Sequence, residues 1–234
     1  MSTSSRRRST APAGREAALA ANPNDYRPAL RALVRALDLW VADGVEPPAS
    51  RYARLADGTL AAPEKAGWPA IPGARFPTVR NEPPRLDFGP RWPRGVATVE
   101  PPRLGRVFPA LVPAVDADGN DRAGVRLPEI GVPLATQTGW NWRAPVSGAG
   151  DALVAMLGSY LPFARTKAER EAAGDPRPSI EERYPGGRDD YLARIRRAAD
   201  ALVAERLLLV EDVPRVVDRA ATHWDWAYSP SRSR

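Results

Sequence analysis

The chain has no cysteine and a single histidine in 234 residues. The first absence excludes disulfide bridges and thiolate chemistry, and it is compatible with any redox compartment. Together the two exclude a zinc site of cysteine and histidine, which needs three or four such ligands. Long apolar runs are missing too. Nothing approaches the roughly 20 uncharged residues needed to cross a bilayer, and the aliphatic run at 207 to 210 is far too short, so no membrane association is expected. Phosphate-binding glycine patterns are also absent: Gly148-Ala-Gly150 lacks the third glycine of a dinucleotide fingerprint, and no Walker sequence occurs. That stretch reads as the entry to a helix, and no cofactor is implied.

Positive charge is scarce where a nucleic acid would need it. Of the formal +6, the first twenty residues hold +3, from Arg6, Arg7, Arg8 and Arg15 against Glu16, and the last six hold +2, from Arg232 and Arg234. About +1 remains for the body, so no basic groove is indicated and nucleic-acid binding would rest on the tails alone. The opening, MSTSSRRRSTAPAGREAALA, has an arginine triplet but no apolar stretch of a secretory signal, which leaves the cytoplasm as the default compartment. Residues 1 to 21 read as a disordered basic tail, and residues 229 to 234 as a second one.

What is present begins with NPNDYRPALRALVRALDLWVADG. Leu30, Leu33, Val34, Leu37, Trp40 and Val41 recur at helical spacing and predict an amphipathic helix over 25 to 43. Asn24 or Asp25 can cap it, Pro28 suits the first turn, and Gly44 supplies the stop. One helix cannot bury its own stripe, so this one must dock on something.

Seventeen of the 26 prolines fall between positions 45 and 148. Proline has no amide proton for a ladder, so this region reads as short edge-like strands and extended connections. In RVFPALVPAVDADGNDRAGVRL, two β-rich runs flank Asp118-Gly119-Asn120 and predict a hairpin. From residue 149 to 228 the pattern is helical. Short helices are expected at 151 to 157 and 166 to 173, and a capping box at Ser179-Ile-Glu-Glu182. A long helix spans 189 to 208. A last one follows Asp212, with Val213, Val216, Val217, Ala220 and Trp224 on its buried side.

Candidate chemistry is thin. Asp116-Ala-Asp118-Gly-Asn120-Asp121 begins like a calcium loop, but glycine stands fourth instead of sixth, and Leu127 occupies the twelfth position where a glutamate is required. No metal site is expected. The pairs Glu181-Glu182, Asp189-Asp190 and Glu211-Asp212 lie at helix starts, where the macrodipole favours them. Ser159, in LGSYL, lacks both glycines of a G-x-S-x-G elbow. His223, in RAATHWDW, falls in the last turn of the final helix and reads as a helix-end residue, so no catalytic residue is assigned. TGWNW is richer, with two exposed-looking indoles and an amide that could bind a ligand, set against the favoured reading of packing in a core or interface. Thr138, Trp140, Asn141 and Trp142 are therefore the substrate-pocket candidates.

Four long strings carry a family likeness: NPNDYRPALRALVRALDLWVADGVEPPASRYARLADGTL, VPAVDADGNDRAGVRLPEIGVPLATQTGWNWR, LPFARTKAEREAAGDPRPSIEERY and ALVAERLLLVEDVPRVVDRAATHWDW. From Asn22 to Trp226 the chain resembles the C-terminal portion of a bacterial family of alpha/beta hydrolase domain proteins. Members of that fold carry a triad in the order serine, acid, histidine, with the histidine on a loop before the last core helix. If the helix at 25 to 43 is that helix, the triad precedes residue 22, and the opening twenty residues stand where the histidine loop is expected.

The resemblance then implies an α/β-hydrolase-related segment of mixed α+β type, from a carboxylic-ester hydrolase lineage and inactive alone. It would comprise a last core helix (22 to 44), a proline-rich β region (45 to 148) and a helical region (149 to 228) that helps shape an acyl pocket. The expected partner is an N-terminal hydrolase core, or a second copy, through the Leu30, Leu33, Leu37 and Trp40 face. The alternative is a non-catalytic protein-interaction module using its aromatic surface.

Overall fold

The computed structural model describes residues 16 to 229. In chain order its elements are β1 (Ala20–Ala21), α1 (Arg27–Asp43), β2 (Leu60–Ala61), β3 (Pro84–Asp87), β4 (Arg103–Val107) and β5 (Val112–Pro113). There follow α2 (Pro128–Gly131), β6 (Ala135–Gln137), β7 (Ser159–Pro162), α3 (Lys167–Ala173), α4 (Ile180–Arg183), α5 (Gly187–Ala204) and α6 (Val213–Ala227). The strands form three small antiparallel sheets, in the orders β1-β7-β6, β2-β5 and β3-β4. The fold is thus mixed helix and strand, without a parallel strand pair among the described residues.

The core lies between α5 and α6. Tyr191, Ile195, Ala199 and Leu202 face Val213, Val216, Ala220, Trp224 and Ala227, and Leu134, Phe163, Ile180 and Tyr184 close the cluster. Burying one large apolar side chain of this kind contributes roughly 1.5–3 kcal/mol. The expected buried side of α6 is found, except that Val217 is only partly covered. The Ser179 capping box is complete: Ser179 Oγ accepts from the Glu182 amide, and the Glu182 carboxylate accepts from the Ser179 amide at 2.8 Å.

The first helix ends as expected, with Gly44 left-handed at φ +70° and its amide donating to the Trp40 carbonyl. At its start Tyr26, and not Asn24 or Asp25, occupies the cap position and makes no side-chain cap hydrogen bond, although the Asp25 carboxylate accepts from the Arg27 amide at 3.2 Å. The face it buries is a different one from the large apolar stripe. Pro28, Ala29, Ala32 and Ala36 pack inward, while Leu30, Leu33, Val34, Leu37, Trp40 and Val41 are 42–79% exposed. Small alanines let the helix backbone approach the body closely, so the large apolar stripe points away from it. Arg31 fastens the helix by donating to the buried Asp212 carboxylate at 2.6 Å.

Three expected local features are corrected. The hairpin around Asp118-Gly119-Asn120 shrinks to a tight turn closed by one bridge, Val115 to Asp121. The run before it pairs elsewhere, β4 with β3 and β5 with β2, and the Asp116 carboxylate accepts from the Asp118 and Asn120 amides. No helix forms at 151 to 157. Arg143 and Val154 donate instead to the carbonyls of Ala152 and Asn141, so this segment bridges to TGWNW, and Gly148 caps a short 3-10 turn. Residues 17 to 21, expected in a tail, pair with the body through the Ala17–Arg143 bridge and β1; the rest of that expectation, residues 1 to 15, lies outside the described residues, as does nearly all of the second tail. At this junction Gly158 admits no side chain, since an added Cβ would stand 2.1 Å from the Thr138 carbonyl oxygen.

Candidate functional site

TGWNW leaves the end of β6, and its side chains divide between structural and cleft-lining roles. Thr138 is buried: its hydroxyl donates to the Trp140 carbonyl at 2.5 Å and lies 2.6 Å from Ser159 Oγ. Asn141 is fully buried, and its amide group binds the Leu19 amide and the carbonyls of Leu19 and Gly158. It tethers the residues before β1. Trp142, expected at the surface, is 4% exposed; its indole donates to the Arg75 carbonyl at 2.9 Å under the Arg75 guanidinium. It borders a shallow hollow of about 470 Å³ beside Arg143 and Pro145.

Trp140 takes the other direction. Its ring packs against Trp68 and Phe76 at centroid distances of 5.3 and 6.2 Å, the second contact edge-on. The three rings line a cleft of about 290 Å³, to which Thr138, Val79 and Arg80 also contribute. Trp68 Nε1 and Arg80 Nε are closed to solvent and have no hydrogen-bond partner among the described residues. Each such orphaned donor costs about 1–3 kcal/mol. Sequence reading found Trp140 and Thr138 but missed Trp68 and Phe76. The signal was present in GWPAIPGARFP, aromatics within a proline-rich run, but nothing local joins it to a segment more than sixty residues away.

The chain's serine and histidine candidates do not meet. Ser159 is fully buried in β7 with its hydroxyl on Thr138, whereas His223 Nε2 lies 2.5 Å from the Tyr160 hydroxyl. Successive strand side chains leave opposite faces, so Ser159 and the Tyr160–His223 pair are on different sides of β7. His223 stands in the last turns of α6, where sequence placed it. Among the described residues no group of three or more His, Cys, Asp or Glu is arranged to hold a metal ion.

The paired carboxylates are occupied with structure. Asp190 binds Arg194, and Asp212 binds Arg31 and Arg215. Hydrogen bonds from the Ser179 amide and hydroxyl hold Glu182 down to about 2, and the Arg27 side chain does the same for Asp25. Burial instead pushes Glu129 up, with Arg219 opposing and Asp25 adding to the rise.

Asp25 and Glu182 therefore contribute stability that is complete above the unfolded range near 4 and lost as pH falls towards 2. Glu129 has the opposite sign, because acid relieves its buried charge. Asp57, Glu169, Asp175, Asp190 and Asp225 are lowered as well, and of the carboxylates only Asp121 joins Glu129 in being raised among the described residues, so the urea midpoint is expected to decline between about pH 4 and pH 2. Glu129 acts above that interval, so a midpoint that stays level or rises between about pH 4 and pH 2 would show that the lowered carboxylates do not stabilise the folded chain.

A family model described as alpha/beta hydrolase domain matches residues 2 to 218. The chain belongs to the alpha/beta hydrolase domain family. No curated protein and no solved structure gives a significant match. The match starts before Asn22, where the likeness read from sequence begins, and stops short of Trp226. The opening residues are thus within the span of this alpha/beta hydrolase domain.

Proposed function

We propose that this alpha/beta hydrolase domain chain is the C-terminal part of a carboxylic-ester hydrolase, packing against a catalytic core and shaping its acyl pocket without cleaving esters itself. The observation that carries this reading is the outward stripe of α1. Six large apolar side chains lie on one helix face that the chain leaves uncovered. An exposed patch of this kind marks an interaction surface, and in this fold the last core helix packs on the sheet. The burial of Ser159 against Thr138, on the side of β7 away from the Tyr160–His223 pair, supports the second half of the reading. The alternative of a non-catalytic interaction module would draw its aromatic surface from exposed residues such as Trp92 and Trp226 instead of TGWNW, in which Trp142 is buried and Trp140 half-buried.

The test uses the whole 234-residue chain. It should hydrolyse p-nitrophenyl acetate no faster than buffer and take no label from a serine-directed phosphonate. A separately produced hydrolase core, bearing a G-x-S-x-G elbow and a histidine loop, should bind it. Turnover that disappears in Ser159→Ala or His223→Ala would overturn the proposal.

A further inference from the structure

We propose that the cleft bounded by Trp68, Phe76 and Trp140 binds a small planar aromatic molecule carrying an oxygen acceptor. Resting on the hydrolase reading above, this makes the favoured acyl group an aryl one. Size argues first: about 290 Å³ is roughly ten water volumes, room for one ring with a short substituent and too little for a long acyl chain. The walls argue second. Rings inclined to one another present both a face and an edge to an incoming ring, with aliphatic closure from Val79, Val112 and Leu153. These groups come from four separated stretches of chain, so the concavity belongs to the tertiary fold.

The polar groups argue third. The unpartnered nitrogens, Trp68 Nε1 and Arg80 Nε, are both donors, and both residues line the cleft. A carbonyl or carboxylate oxygen entering as the wall yields would satisfy them. Asp121 also lines the cleft and opposes an anion, while the Arg80 guanidinium, held by the Thr78 carbonyl at 3.0 Å, attracts one. A neutral amide and an acid are therefore both needed as probes.

The experiment titrates the full chain with benzamide and benzoate by calorimetry and saturation-transfer NMR, with cyclohexanecarboxamide as the non-aromatic control. Neither amide can report hydrolysis, so the outcome is independent of whether the chain is an esterase. Saturable binding of benzamide or benzoate is expected, with a dissociation constant on the order of 1 mM or tighter. Benzamide alone, or benzoate alone, tells which oxygen the cleft accepts. Trp140→Ala should abolish binding, and Trp68→Phe, which keeps a ring but removes the donor, should weaken it about fivefold. Val79 is half exposed, so Val79→Trp fills the cleft from a position the core does not depend on and should also abolish binding. No saturation by either aromatic probe, equal binding of the cyclohexane control, or undiminished binding in folded Val79→Trp would each overturn the proposal.

Discussion

Replacing Arg177 with leucine is expected to destabilise the chain by about 3–5 kcal/mol, because removing one partner of a buried ion pair strands the other. Arg177 is 3% exposed. It donates to both Asp175 carboxylate oxygens, to Thr136 Oγ1 at 2.8 Å and to the Leu161 carbonyl at 3.0 Å, and it lies over the Phe163 ring. Burial alone would raise the Asp175 carboxyl; hydrogen bonds and charge from Arg177 outweigh it and hold the group below its ordinary value. Without the guanidinium, the carboxylate, the Thr136 hydroxyl and a β7 carbonyl lose a charged donor at once; the carboxylate keeps the backbone amide of residue 177, and the Thr136 hydroxyl keeps the Asp118 carbonyl. Urea unfolding reads the loss directly. Arg188→Ala, which breaks an exposed pair with Asp225, is the control and should change little. A loss below about 1 kcal/mol in Arg177→Leu would mean that water or a rearranged neighbour replaces the guanidinium.

The second large effect is on association. Leu33, Leu37 and Trp40 changed together to lysine should leave folding nearly untouched, since each is about half exposed and a surface substitution usually stays within about 0.5 kcal/mol. Lysine is also a good helix former. Burying the exposed halves against a partner is worth about 1 kcal/mol per residue, so affinity for the hydrolase core should fall on the order of a hundredfold. Calorimetry against that core and light scattering of the chain alone separate the possible partners. Loss of core binding supports the proposed function. Loss of a dimer instead assigns the stripe to a second copy. A drop of several kcal/mol in the unfolding of the isolated variant would show the stripe to be part of the chain's own interior.

The helices were the legible part of this fold. Periodicity of 3.6 marks α1, α5 and α6, Gly44 marks the end of α1, and the Ser179 box marks the start of α4. Periodicity does not say which face meets the body. In α1 the large residues form the outward stripe, while the alanines at 29, 32 and 36, which periodicity did not single out, form the inward face. Small residues carry little hydrophobic signal, but they allow close approach. The same blindness hid β1, whose two alanines read as tail. The errors at 106 to 127 and 151 to 157 have a different cause. Residue 153 bridges to 142 and β5 pairs with β2, and such partners are chosen by the tertiary fold and not by local propensity. The candidate site repeats this lesson: Trp140 stood out in TGWNW, but the rings that make its cleft come from residues 68 and 76.

The alanine face of α1 also bears on how firmly that helix is held. Methyl groups bury little area, so beyond the Arg31–Asp212 tie the grip of α1 on the rest of the molecule is slight compared with that of α5 on α6. Elements with few buried apolar contacts open at low free energy, well before the chain as a whole unfolds. Covering the stripe and ordering α1 would then be one event. The partner would complete a layer whose amides exchange readily with solvent until it arrives.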